Sequence, residues 1–173
     1  GDMPIIFCGI NAYEDRMLEG VPEITGVVEK VNHRANVELV LRLHPEVKRL
    51  VYINDHTTSS RGNLQEVLSF APEYEDRIDF VFPGREKPLT LAEVLEKLRA
   101  LDKNTIVIYQ DFFLDADGIY RDPDEVMPLV SRASPAPVYV HGNMYLGLGC
   151  VGGNVVSGYH QGQGAAEIAL RVM

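Results

Sequence analysis

The chain has 173 residues, 46% of them hydrophobic, enough for one ordinary domain or two small lobes with a real core, and a disordered chain is excluded. Sixteen basic residues against 25 acidic ones give a net charge of −9, and no more than two basic residues stand together, so nucleic acid and anionic membrane surfaces are poor partners. No apolar run approaches the roughly 20 residues of a membrane helix, and the chain reads as soluble.

In chain order, Gly1-Asp2-Met3-Pro4 runs at once into the strand-like Ile5-Ile6-Phe7-Cys8, an opening that suggests an excised fragment with neighbouring sequence missing. After Pro4 the order reads strand, loop, strand, helix, then four strand–helix repeats, a glycine-rich crossover and a final helix. Helices are expected from about Asn36 to Leu43, before Pro45, and from about Gly62 to Phe70, before Pro72. Thr90 followed by Glu93, and Asp122-Pro123 followed by Glu125, are capping-box patterns, each cap contributing about 0.5–2 kcal/mol. Leu91, Val94, Leu95 and Leu98 form one helical stripe that should cover a sheet. Strands alternating with such helices imply βαβ units and a parallel α/β sheet.

Three apolar runs break off into polar clusters: Leu50-Val51-Tyr52-Ile53 into Asn54-Asp55-His56-Thr57-Thr58-Ser59-Ser60, Ile106-Val107-Ile108-Tyr109 into Gln110-Asp111-Phe112, and Val138-Tyr139-Val140 into His141-Gly142-Asn143. Parallel strands are buried on both faces and read as continuous apolar runs, and ligands are held where they end, so a binding crevice is expected there. Asp55 to Ser60 offer carboxylate, imidazole and hydroxyls at a strand-to-helix turn where free amides favour an anionic group. The plainer alternative is that Ser59 or Ser60 caps the helix and Asp55 braces the loop. Phe112, Phe113 and Tyr145 suit either the walls of that crevice or core packing.

Other motifs fail their context. Gly147-Leu148-Gly149-Cys150-Val151-Gly152 matches the glycine spacing of dinucleotide loops, but no strand stands directly before it, and Asn154-Val155-Val156 reads as strand where a helix is required. Asp115-Ala116-Asp117-Gly118 lacks the later ligands of a calcium loop and suits a hairpin turn instead. No cofactor or metal is therefore expected. Cys8 and Cys150 read as buried free thiols, with a disulfide open only to an exported chain.

The segments Ile24-Thr25-Gly26-Val27, Val51 to Thr57, Phe112 to Gly118 and Tyr145 to Gly153, in that order, resemble a known group. The chain is similar to the ABC-transporter substrate-binding-protein family of type I periplasmic-binding-protein fold, especially the versions that serve as extracytoplasmic sensor domains of bacterial histidine kinases in two-component systems. It departs from that pattern at Ser60, where similar sequences often carry glycine. The resemblance implies two Rossmann-like α/β lobes closing on a ligand, with the first lobe incomplete: residues 1–24 in it, 25–144 forming the second lobe, and 145–173 the crossover and return helix. Asn11 would face the ligand from the first lobe, and Asn54, Asp55, Thr57, Gln110, Asp111, Asn143 and Tyr145 from the rest.

The function expected is non-enzymatic, extracytoplasmic binding of a small polar ligand such as an amino acid, in a sensor attached to the membrane through missing parts of its parent protein. A free transport receptor is the first alternative, and an α/β enzyme using Asp55, His56 or Asp111 the second. An open sheet edge in the incomplete lobe would also allow a homodimer.

Overall fold

Alternation along three strands of the larger sheet fixes the architecture. In the computed structural model, which describes residues 3–11 and 13–172, strands β3 (Arg49–Ile53), β5 (Thr105–Tyr109) and β6 (Val138–Val140) are buried on both faces. Val51, Ile53, Val107, Tyr109, Val138 and Val140 point into one apolar cluster; Leu50, Tyr52, Ile106, Ile108 and Tyr139 point into the other. Period-two burial on both sides of a strand requires helices above and below the sheet. Helices α1 (His33–Leu43) and α2 (Thr58–Phe70) supply Val37, Val40 and Val67 to the second cluster. Helices α3 (Leu91–Arg99) and α4 (Pro123–Ala133) supply Val94, Leu98, Val126 and Val130 to the first.

With β4 (Asp79–Val81), the strands make an all-parallel sheet of order β4-β3-β5-β6. From β3 the chain passes through α2 to β4 on one side; from β4 it returns through α3 to β5 on the other side of β3, and α4 leads on to β6. The direction of travel across the sheet therefore reverses between β3 and β5. Their polar ends are adjacent, since Ile53 pairs with Tyr109 and the Gln110 amide donates to the Ile53 carbonyl at 2.8 Å.

The chain divides into two compact units, Asn32–Val155, which holds this sheet, and Gly1–Val31 with Val156–Met173. In the smaller unit, β1 (Ile5–Ile10) and β2 (Ile24–Val28) form a two-stranded parallel sheet on which α5 (Gly158–Val172) packs. None of the described residues of these three elements is fully buried.

Local signals explain most element boundaries. The Thr90 hydroxyl accepts from the Glu93 amide while Glu93 accepts from the Thr90 amide, the reciprocal capping box expected. Asp122 precedes Pro123 at the start of α4, but its side chain makes no capping bond, so that box does not form. The Asp117-Gly118 turn is a hairpin: Leu114 bridges Tyr120 antiparallel, Gly118 has φ +74°, and Asp115 accepts from the amides of Asp117 and Ile119.

Several expectations are corrected. Only three of the four strand–helix repeats occur, because β6 leads into a single 3-10 turn, Asn143–Tyr145, and then an irregular glycine-rich segment. That segment returns beside β6, with the Val151 amide donating to the Val138 carbonyl and the Val140 amide to the Gly152 carbonyl, both at 2.8 Å. Asn154-Val155-Val156 forms no strand. Helix α2 begins four residues earlier than expected, capped by Thr57 and not by Ser59 or Ser60. Both cysteines are free, but Cys8 is exposed, since β1 has no second layer deep enough to cover it, and Cys150 is only half-buried.

The return segment is held by Asn36, buried in α1, whose side chain accepts from the Asn154 amide at 2.6 Å and donates to the Asn154 carbonyl at 3.1 Å. Gly153 lies so close to β6 that an added Cβ would stand 1.9 Å from the Val140 carbonyl oxygen. Gly153→Ala must force the segment off the sheet, and the expected loss is about 2 kcal/mol or more of unfolding free energy, measured by urea denaturation.

Candidate functional site

Asp55 sits at the reversal between β3 and β5 and is almost fully buried. One carboxylate oxygen accepts from the Thr57 amide at 2.9 Å and the Thr57 hydroxyl at 2.6 Å. The other accepts from the amides of Phe113 and Leu114, at 2.7 and 3.1 Å. Four donors on one buried carboxylate compensate its desolvation and tie the loop after β3 to the loop after β5. Asp55 is thus the brace that the plainer sequence reading describes, and Thr57 the cap.

Next to it is a second polar group built on Asp111. Its Oδ1 accepts from the Tyr145 hydroxyl at 3.3 Å and lies 3.6 Å from His141 Nε2, while Oδ2 accepts from Asn63 Nδ2 at 3.4 Å. Asn63 comes from α2, His141 from the end of β6 and Tyr145 from the following 3-10 turn, so three elements meet on one carboxylate. The His141 ring stands edge-on to His33, at the start of α1, with ring centroids 5.8 Å apart.

Burial disfavours the imidazolium of His141, and the neighbouring His33 opposes it further, so its pKa falls to about 3. His33 is lowered too, by burial, against the pull of Glu66 and of a hydrogen bond to Asn63. The Tyr145 hydroxyl is pushed up by burial and then by the charge of Asp111, and Tyr109 is raised for the same reasons. At neutral pH the two imidazoles and the two phenols around Asp111 are therefore all neutral.

Of the residues expected to face a ligand, Asn54, Asp55, Thr57, Gln110, Asp111 and Tyr145 gather at the ends of β3, β5 and β6. Gln110 and Tyr145 are fully buried and Asn143 is exposed. Asn11 follows β1 and belongs to the other unit. Asn54 Oδ1, Ser60 Oγ and both polar atoms of the Gln110 amide are buried with no hydrogen-bond partner among the described residues. Buried polar atoms without partners are costly in a purely structural role, and these four sit at the ends of β3 and β5 and the start of α2.

Comparison of the chain with protein-family models, with curated proteins and with solved structures finds no match. No group of three or more metal-ligating side chains occurs among the described residues.

Beside the end of β3 a pocket of about 360 Å³ is lined by Asn54, His56, Arg61, Leu64, Arg85 and Glu86, among others. A larger one, about 690 Å³, runs along the edge strand β4 and is lined by Phe80, Phe82 and mixed charges. The smaller is the more informative, because it alone of the two includes a residue of the polar strand ends. Sequence reading missed His33, Asn63, Arg61 and Arg85. Their positions depend on how α1, α2 and the loop after β4 fold onto the sheet end, and nothing in local sequence marks them.

Two outcomes follow. Asp55→Ala removes the shared acceptor of the Thr57, Phe113 and Leu114 amides and should cost about 2–4 kcal/mol of stability, read by chemical denaturation. The two histidines are held neutral in the fold but accept protons when the chain unfolds, so stability present near neutral pH is lost as pH falls below about 6.5 toward His141's folded value of about 3. His141 alone should account for about 3 kcal/mol between pH 6.5 and 4, and His141→Gln should flatten that part of the stability profile.

Proposed function

We propose that the chain is an extracytoplasmic small-molecule-binding domain, the sensory region of a signal-transducing histidine kinase or a related protein. The observation that carries the reading is the reversal of chain direction between β3 and β5, with Asn54, Asp55, Gln110 and Asp111 gathered there. In open parallel sheets, ligands bind outside the carboxyl ends of the strands at such a switch point. The ordered resemblance of four segments to substrate-binding proteins supports the compartment and the sensory role. A free transport receptor shares the same binding edge and differs in what adjoins it.

An enzyme using Asp55, His56 or Asp111 has weaker support. Both Asp55 oxygens are engaged by four donors, and His56 Nε2 is held by the Gly84 carbonyl at 2.5 Å, which leaves neither placed to move a proton on a substrate.

The test is a thermal-shift screen of amino acids and small polar metabolites, followed by calorimetry and mass analysis of the recovered ligand. The expected result is a ligand that binds and is recovered unchanged, with affinity about tenfold lower in Asn54→Ala, the loss of one good hydrogen bond. Chemical turnover abolished by Asp111→Asn would replace this reading with the enzyme.

A further inference from the structure

The pocket beside β3 is lined by two arginines, Arg61 and Arg85, and by Asn54. On one side, Arg61, Leu64, Gln65 and Leu68 form a single stripe of α2, at the three- and four-residue spacing of one helix face. Arg85 lines the pocket too, from the loop after β4. That loop is fixed against the end of β3: His56 Nε2 donates to the Gly84 carbonyl, and an added Cβ at Gly84 would stand 3.2 Å from the Asn54 carbonyl oxygen. The Arg85 amide donates to Phe82 at 3.1 Å. Neither guanidinium has an ion pair or hydrogen bond among the described residues, although most of the chain's charge is acidic.

Asn54 is 4% exposed and lines the same pocket. Its amide nitrogen donates to the Asp55 carbonyl at 3.0 Å, which leaves Oδ1 as a buried acceptor without a donor. Glu86, exposed, also lines the pocket and is a second acceptor. Two guanidinium groups call for a negatively charged oxygen, and the acceptors call for an N–H or O–H on the same molecule. An anion that carries no donor would set its own oxygens against Asn54 Oδ1 and lose affinity through that unmet pair.

We propose that this pocket binds a small oxyanion bearing its own hydrogen-bond donor, its charge held by Arg61 and Arg85 and its donor by Asn54 Oδ1. The inference rests on the reading of the β3–β5 edge as a ligand-binding edge and names the ligand's chemistry. Hydrogenphosphate and a 2-hydroxy acid share that chemistry. Sulfate and acetate are their counterparts without a donor.

The test is calorimetric titration of the chain with four probes, phosphate against sulfate and lactate against acetate, repeated in the Arg61→Gln/Arg85→Gln double variant. The expected result is that phosphate or lactate binds at least about tenfold more tightly than its counterpart, and that the double variant loses at least about tenfold in affinity while its thermal midpoint is unchanged. Both arginines are exposed and, among the described residues, unpaired, so their replacement leaves the fold intact. No binding of phosphate or lactate at about 20 mM, equal binding of the counterparts, or unchanged affinity in the double variant overturns the inference. A metabolite that binds with affinity untouched by the double variant would overturn this assignment alone and leave the binding-domain reading standing.

Discussion

The fold of the larger unit depends on one buried carboxylate. Where a parallel sheet reverses its direction of winding, the loops leaving two neighbouring strands diverge to opposite sides, and their backbone amides would be left without partners. Asp55 resolves this by accepting from Thr57 on its own loop and from Phe113 and Leu114 on the loop after β5. The same contacts place Thr57 to cap α2, which in turn brings Asn63 to Asp111 and Arg61 to the pocket beside β3. A negative charge is suited to this role, since charge-assisted bonds are roughly twice as strong as neutral ones.

How much of this is legible in the sequence depends on the range of the interaction. The apolar runs ending at Ile53, Tyr109 and Val140 are strands because burial on both faces leaves no polar position, and that shows in composition alone. The Thr90–Glu93 box and the Asp117-Gly118 turn are equally local, each closed within a few residues. The start of α2 is misplaced for the opposite reason: Ser59 and Ser60 are good caps by type, but Asp55 fixes Thr57 first through a contact two residues away and others 58 and 59 residues away. Asn36 gripping Asn154 across 118 residues, and the meeting of His33 with His141, leave no local trace. At the candidate site the polar strand ends are visible in the sequence, whereas the division between brace, buried cluster and pocket wall is not.

That division changes what the polar residues can do. Asp55 and Thr57 are structural, and Asp111 with Tyr145 and His141 forms a buried group whose neutral imidazoles tie the fold to pH. Asn54, by contrast, joins a pocket with two guanidinium groups that have no partner among the described residues, and ligand chemistry is best sought there. The smaller unit differs in kind. A two-stranded parallel sheet under one helix, with none of its described element residues fully buried, has little apolar burial of its own.

The most direct test of the claim that the β3–β5 edge binds a small molecule is amide chemical-shift mapping by NMR on the labelled chain during titration with a mixture of amino acids and small oxyanions. The account predicts shifts concentrated at residues 54–61, 84–86 and 110–113, the ends of β3, β4 and β5 with the first turn of α2. Shifts confined to other surfaces, or no shifts from any member of the mixture, would contradict it.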